Sequence, residues 1–193
     1  MSRRMAASFI SAVQSVKIII NLAEFQEKSS GQLHHANHTA RYEEMERSFV
    51  MIKPDGVSRG LVGEIIGRLE KRGLKLLAAR LEKLTPERVT SQYEEHLNKP
   101  FFPSLRNYIM SGPCFLMVWE GRGAVGIIRT IVGKTNPVDA APGTIRGDYA
   151  LDLGRNVVHS SDSPESGNKE ILIHFKETEL TSYPRCSDPW LYE

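Results

Sequence analysis

The chain has 193 residues, 40% hydrophobic and 25% charged, which is enough apolar material for one folded domain and a short extension. Its formal net charge of +2 gives no sign of a nucleic-acid or membrane-surface partner, so an anionic ligand has to be held by a few local cations. Cys114 and Cys186 form no disulfide or metal pattern, and no apolar run approaches the ~20 residues needed to span a bilayer.

The sequence changes character near Met45, so residues 1–45 read as an N-terminal extension and 46–193 as the domain. Met1 to Ala23 has no acidic residue, carries Arg3, Arg4 and Lys17, and places Phe9, Ile10, Val13, Val16, Ile19 and Ile20 near a helical period. That pattern resembles an organelle transit peptide. If it acts as one, the location is mitochondrial; if the working start is Met45, it is cytoplasmic. His34 and His38 stand at a spacing that could bind metal on a helix, but no carboxylate or cysteine framework supports them.

Ser48 to Lys53 reads as a buried strand ending in a Pro-Asp-Gly turn. Leu61 to Lys71 carries the stripe of an amphipathic helix, stopped by Gly73. Leu74 to Leu84 is strand-like. Thr85-Pro86-Glu87 then opens a helix to about Leu97, and a second helical stretch covers Ser104 to Met110. Cys114 to Trp119 is another buried strand, and Ala124 to Val132 a helix. Asn136 to Gly143, with two prolines, reads as a loop. Asn156 to Val158 is a very short strand leading into His159, and Ser163-Pro164-Glu165 caps a helix through about His174. The order β-α-β-α-β-α-β permits a doubly wound parallel sheet or an antiparallel ferredoxin-like one. No glycine-rich phosphate loop follows a strand, so phosphate would be handled by side chains.

The segment Asn156 to Asp162 carries the sharpest chemical signal. His159 sits between a strand and a capped helix, held by the scaffold yet reachable. A neutral imidazole, with an unperturbed pKa near ~6.5, has a free lone pair and needs no separate base to act as a nucleophile. Glu170, in the following helix, can fold back to orient the ring, with Ser161 bridging. Lys53 at a strand end, Arg129 on a helix and Arg146 after a Pro-Gly segment stand where loops and helix ends should expose them. Such cations suit phosphoryl transfer, in which the protein mainly positions groups and stabilises charge.

The strings MIKPDGVSRGLVGEII and NVVHSSDSPES resemble the opening and the active-site signature of the nucleoside diphosphate kinase family. Between and after them KPFFPSL, SGPCFLMVWEG, GKTNPVDAAPGTIRGD and the closing WLYE follow in the family's order. The resemblance implies an α+β, ferredoxin-like sandwich with a four-stranded antiparallel sheet covered by helices. It implies a ping-pong transfer of the γ-phosphate, typically from ATP, to a nucleoside diphosphate through phosphate on Nδ1 of His159. Ser161 and Glu170 would support that histidine. Tyr93, Arg129, Thr135 and Arg146 would contact the phosphates, and Lys53 and Asn156 the ribose and transferring phosphate. Phe101 would stack on the base, with Leu105 lining the same slot. Stacking accepts any base, because each has a π-face. Mg²⁺ would arrive on the nucleotide phosphates, with no protein-built metal site. The partners implied are nucleoside di- and triphosphates and further copies of the chain in a hexamer, as against the tetramer of some family members, with Asn136 and Pro137 at a subunit contact. A membrane partner is not implied, and without a basic stripe nucleic-acid binding is not indicated. One departure stands beside the nucleophile: the family usually has glycine where this chain has Ser160.

Overall fold

In the computed structural model, which describes residues 45–193, four strands form one antiparallel sheet. The strands are β1 (Met45–Ile52), β2 (Lys75–Glu82), β3 (Cys114–Arg122) and β4 (Val158–Ser160), in the spatial order β2-β3-β1-β4. This is the ferredoxin-like arrangement expected. The targeting pattern and the His34/His38 pair lie outside the described residues. The helices are α1 (Pro54–Ser58), α2 (Val62–Lys71), α3 (Pro86–Gln92), α4 (Phe102–Met110), α5 (Ala124–Val132), α6 (Ile145–Tyr149), α7 (Pro164–His174) and α8 (Asp188–Leu191).

The unbroken apolar runs of β1 and β3 follow from their central place. Alternation sends Phe49, Met51, Leu116 and Val118 to one face, where Val89 of α3, Ile109 of α4 and Ile171 of α7 cover them. Val50, Ile52, Met117 and Trp119 go to the other, against Ile65 and Leu69 of α2 and Ile128 and Val132 of α5. Each such fully buried side chain contributes roughly 1.5–3 kcal/mol. The short strand β4 pairs with the end of β1, Met51 opposite His159, and so hangs the nucleophile on the buried centre of the fold.

Both predicted helix caps form. Thr85 Oγ1 accepts the Arg88 N–H at 3.4 Å, and Ser163 Oγ accepts that of Ser166 at 3.1 Å. Helix α7 approaches β1 closely enough that a Cβ on Gly167 would lie 2.7 Å from the Arg47 carbonyl oxygen. At its C-terminus, Arg88 donates to the carbonyls of Ile173 (3.4 Å) and His174 (2.7 Å), and Arg80 donates to that of His174. Cations there satisfy carbonyls that have no partner within the helix.

Several local expectations need correction. The Pro-Asp-Gly turn is the start of α1, because Pro54 is well placed at a first helical position. Helix α3 stops at Gln92 and passes into a single 3-10 turn, Glu94–His96, rather than running on to Leu97. The loop from Asn136 contains another such turn at Pro137–Asp139. The last strand is Val158–Ser160, two residues later than Asn156 to Val158, and His159 is its central residue.

Candidate active site

The reason for that shift is a tight turn. Val158 N–H donates to the Asn156 carbonyl at 2.7 Å, closing a three-residue γ-turn around Val157, whose φ is 67°. A β-branched residue at positive φ costs on the order of 1–3 kcal/mol and persists only where its surroundings hold it. Here Lys53 N–H donates to the Val157 carbonyl at 2.8 Å and Val157 N–H to Asp55 Oδ2 at 3.1 Å. Asp55 Oδ1 in turn accepts the Tyr108 hydroxyl. Burial and Asp55 raise the pKa of Tyr108, so the phenol stays a donor. The start of α1 thus braces the turn that aims β4.

His159 Nε2 lies 2.7 Å from Glu170 Oε1, and Ser161 Oγ donates to Glu170 Oε2 at 2.6 Å. Ser161 also accepts the Phe49 N–H at 3.0 Å, so the carboxylate is tied to the sheet. In a neutral imidazole this geometry puts the proton on Nε2, facing Glu170, and leaves the lone pair on Nδ1. Gln92 adds a third donor, its Nε2 lying 2.7 Å from Glu170 Oε1.

His159 and Glu170 line a cleft of about 650 Å³. Its wall includes every other site residue expected from the sequence except Ser161, which is buried behind Glu170: Lys53, Tyr93, Phe101, Leu105, Arg129, Thr135, Arg146 and Asn156. Two of the three cations are buried, against the expectation that a strand end and a loop expose them; Lys53 and Arg146 retain 8% and 5% of their surface. They form the cleft floor and are fixed by backbone and amide oxygens. Lys53 Nζ donates to Asn156 Oδ1 at 2.6 Å, while Asn156 Nδ2 donates to the Thr135 carbonyl at 2.9 Å. The Arg146 guanidinium donates to the carbonyls of Gly133 (3.0 Å) and Val158 (2.8 Å). Arg129 stands exposed at the last turn of α5.

Among the described residues none of these cations is in a salt bridge, although Asp55 acts on Lys53 and Asp162 on Arg129. Burial first, and Arg146 second, bring the Lys53 pKa down to about 8; burial and then Arg129 bring Arg146 down to about 10. Four buried polar atoms along the same wall have no partner among the described residues: the Tyr93 hydroxyl, His96 Nδ1, Arg146 Nε and Ser160 Oγ. Buried polar groups are rarely left unsatisfied, and the Tyr93 and Ser160 hydroxyls and Arg146 Nε are all able to donate to an anion in the cleft. Tyr93 keeps its proton, because burial pushes its pKa up, and its ring stands edge-on to His159 at 6.0 Å.

Two apolar side chains that line the cleft are exposed, Phe101 by 51% and Leu153 by 58%. A flat aromatic and an aliphatic side chain offer a slot for a planar ring. Sequence reasoning missed Leu153, which sits in a stretch with no period. It also missed Gln92, His174 and Asp55, whose roles depend on contacts 82, 82 and 102 residues away in sequence. The Ser163 cap was the one signal that could have led to His174, since it fixes the phase of α7.

The family profile described as nucleoside diphosphate kinase matches residues 46–180. A protein of Methanoculleus marisnigri named nucleoside diphosphate kinase is 63% identical over 149 residues, covering 77% of this chain and 100% of that protein. One of that name from Methanoregula boonei is also 63% identical, over 77% of this chain and 99% of its own length. Among solved structures, a halophilic nucleoside diphosphate kinase from Halobacterium salinarum in complex with CDP superposes with TM-score 0.75 at 47% identity, covering 77% of this chain and 99% of that one. A nucleoside diphosphate kinase family protein from Babesia bovis gives 0.74 at 46% identity, covering 76% of this chain and 99% of that one.

Proposed function

The chain belongs to the nucleoside diphosphate kinase family, and on that footing we propose that it moves a γ-phosphoryl group between nucleotides by way of His159. The observation that carries the assignment to His159 is its position: Nε2 is held by Glu170 at 2.7 Å, on the wall of a cleft whose floor is cationic.

In the first step the Nδ1 lone pair attacks the γ-phosphorus of a nucleoside triphosphate. The bond from phosphorus to the bridging oxygen breaks, and the nucleoside diphosphate leaves with that electron pair. Positive charge that develops on the imidazole is balanced by the Glu170 carboxylate, which keeps the Nε2 proton in a hydrogen bond. Arg129, Arg146 and the Tyr93 hydroxyl face the phosphate oxygens, and Lys53 the transferring group, so that positioning and charge supply the catalysis. In the second step a terminal phosphate oxygen of an acceptor diphosphate attacks the phosphohistidine, and the N–P bond breaks. Phe101, Leu105 and Leu153 hold the base between apolar surfaces, without reading its edge.

Mg²⁺ enters as part of the substrate. Among the described residues no cluster of three His, Cys, Asp or Glu side chains could hold a metal, and the cleft floor is lined by cations. Such a wall fits phosphates that bring their own divalent ion. We further propose a homohexamer, supported by the family resemblance and by the exposed apolar side chains Val138, Leu151 and Trp190. Residues 1–44, with their acid-poor start, are proposed to direct the chain to the mitochondrion; a cytoplasmic location follows if translation starts at Met45. A fusion of residues 1–44 to a fluorescent protein reads this directly, organelle signal supporting targeting and diffuse signal refuting it.

Initial rates measured over a grid of ATP and dTDP concentrations test the two-step route. Parallel double-reciprocal lines are expected. Lines that intersect would mean both nucleotides bind before transfer, and would remove the phosphohistidine from the path.

A further inference from the structure

We infer that Gln92 and His174 form a relay that fixes the Glu170 carboxylate, and through it the reactive tautomer of His159. The inference rests on the phosphohistidine reading above. Both act as positioning residues.

The chain of contacts is short and directional. His174 Nε2 lies 2.7 Å from Gln92 Oε1, Gln92 Nε2 lies 2.7 Å from Glu170 Oε1, and the same oxygen lies 2.7 Å from His159 Nε2. The orientation of a glutamine amide is decided by its neighbours. If the His174 proton sat on Nδ1, the Nε2 lone pair would call for the Gln92 amide nitrogen. The Gln92 carbonyl would then turn toward Glu170, oxygen against carboxylate. With the proton on Nε2, His174 donates to Oε1 and the amide nitrogen faces Glu170, so both contacts are favourable. His174 Nδ1 is buried and has no partner, which a bare acceptor tolerates better than an N–H. Burial and then Arg88 bring the His174 pKa down to about 3, so the ring stays neutral across the working range.

The result is a carboxylate that accepts hydrogen bonds on both oxygens. Oε2 takes the Ser161 hydroxyl, and Oε1 takes Gln92 and His159 together. Gln92 Nε2 and His159 Nε2 are 3.3 Å apart because both donate to one acceptor. A second donor lowers the hold of Oε1 on the His159 proton. Without it the carboxylate would favour the imidazolium form, which has no lone pair at Nδ1. The ionisable groups around His159 include Glu170 and His174 on α7, Asp162 in the preceding loop, Tyr93 after α3, Lys53 after β1, Arg129 on α5 and Arg146 on α6. Those around His174 are Arg88 on α3, Arg80 on β2 and His159 on β4. None of these replaces the Gln92 donor.

The test is kcat/KM against pH for transfer from ATP to dTDP, in the full chain and in the variants Q92L, H174F, H174Q and Q92L/H174F. The acid limb of Q92L should move up by roughly one pH unit, so that kcat/KM on the acid side of both limbs falls roughly tenfold, the size expected for losing one hydrogen bond to a charged group. H174F, which keeps the stacking on Phe49 (4.6 Å, 7°), should move the limb the same way, and H174Q, which restores a donor, should move it back. In Q92L/H174F the second change should add nothing, because His174 acts only through Gln92. An unmoved limb in Q92L, or full additivity in the double variant, overturns the relay. Nitrogen-15 NMR of the unaltered protein reads the same point without a variant: His174 should be the neutral Nε2–H tautomer, and an Nδ1–H ring overturns the inference. Failure of the relay leaves wild-type transfer intact, whereas wild type that forms no phosphohistidine defeats the underlying reading instead.

Discussion

Lys53 shows how far one side chain depends on the cleft around it. Its pKa of about 8 is set by burial and by Arg146, so at pH 8 about half of the free protein has Lys53 charged. A bound diphosphate favours the charged form and raises that pKa. Binding at pH 8 should therefore take up about half a proton, and near pH 6, where Lys53 is charged in both states, this uptake should vanish. Calorimetry of GDP binding in buffers of different ionisation enthalpy measures it; proton release at pH 8 would contradict the assignment of Lys53 to the phosphates. At this scale the sequence was informative about identity but not about exposure. Lys53 and Arg146 were named from their types and places, yet their burial depends on the γ-turn at Val157, which no local pattern announces. Val157 is a β-branched residue at φ 67°, a position where sequence logic expects glycine or asparagine. Ser160, where the family usually has glycine, keeps its hydroxyl buried and unpartnered at the cleft wall.

Helix α7 is the element on which the geometry turns, because it carries Glu170 and its last residue, His174. Its N-terminus was legible in the Ser163-Pro164-Glu165 cap, and its contact with β1 was not. That contact is set by Gly167, where a Cβ would meet the Arg47 carbonyl oxygen at 2.7 Å. Backbone cannot yield as a flexible side chain does, so Gly167→Ala should push α7 away from β1. The expected cost is about 1–3 kcal/mol in urea unfolding. A fall in kcat larger than any rise in KM should accompany it, as Glu170 moves off His159. A variant with unchanged stability and unchanged kcat would show that the close approach is not what seats the carboxylate. The short elements α1 and α6 were missed for a related reason. Each is 5 residues long, too short for a period to show, and each is held by contacts outside itself, Asp55 of α1 with Val157 and Tyr108 and Arg146 of α6 with Gly133 and Val158.

The whole domain was the easiest scale to read. Unbroken apolar runs in β1 and β3 marked central strands, and the amphipathic stripe of α2 and the apolar face of α5 marked their cover. Topology still needed the resemblance to decide between parallel and antiparallel sheets. Residues 45–193 match relatives along essentially their full length, so a fragment beginning at Met45 should fold and retain activity within about twofold of the full chain. Light scattering of that fragment should give six times its mass; a monomer would contradict the hexamer, and loss of activity would assign residues 1–44 a part in the fold. The most direct test of the central claim is incubation of the purified chain with γ-labelled ATP and Mg²⁺, followed by acid and base treatment. Label should attach to the protein, be lost in acid, survive base, pass to added GDP and be absent in His159→Ala. Label that never attaches, or that persists in His159→Ala, would contradict the account.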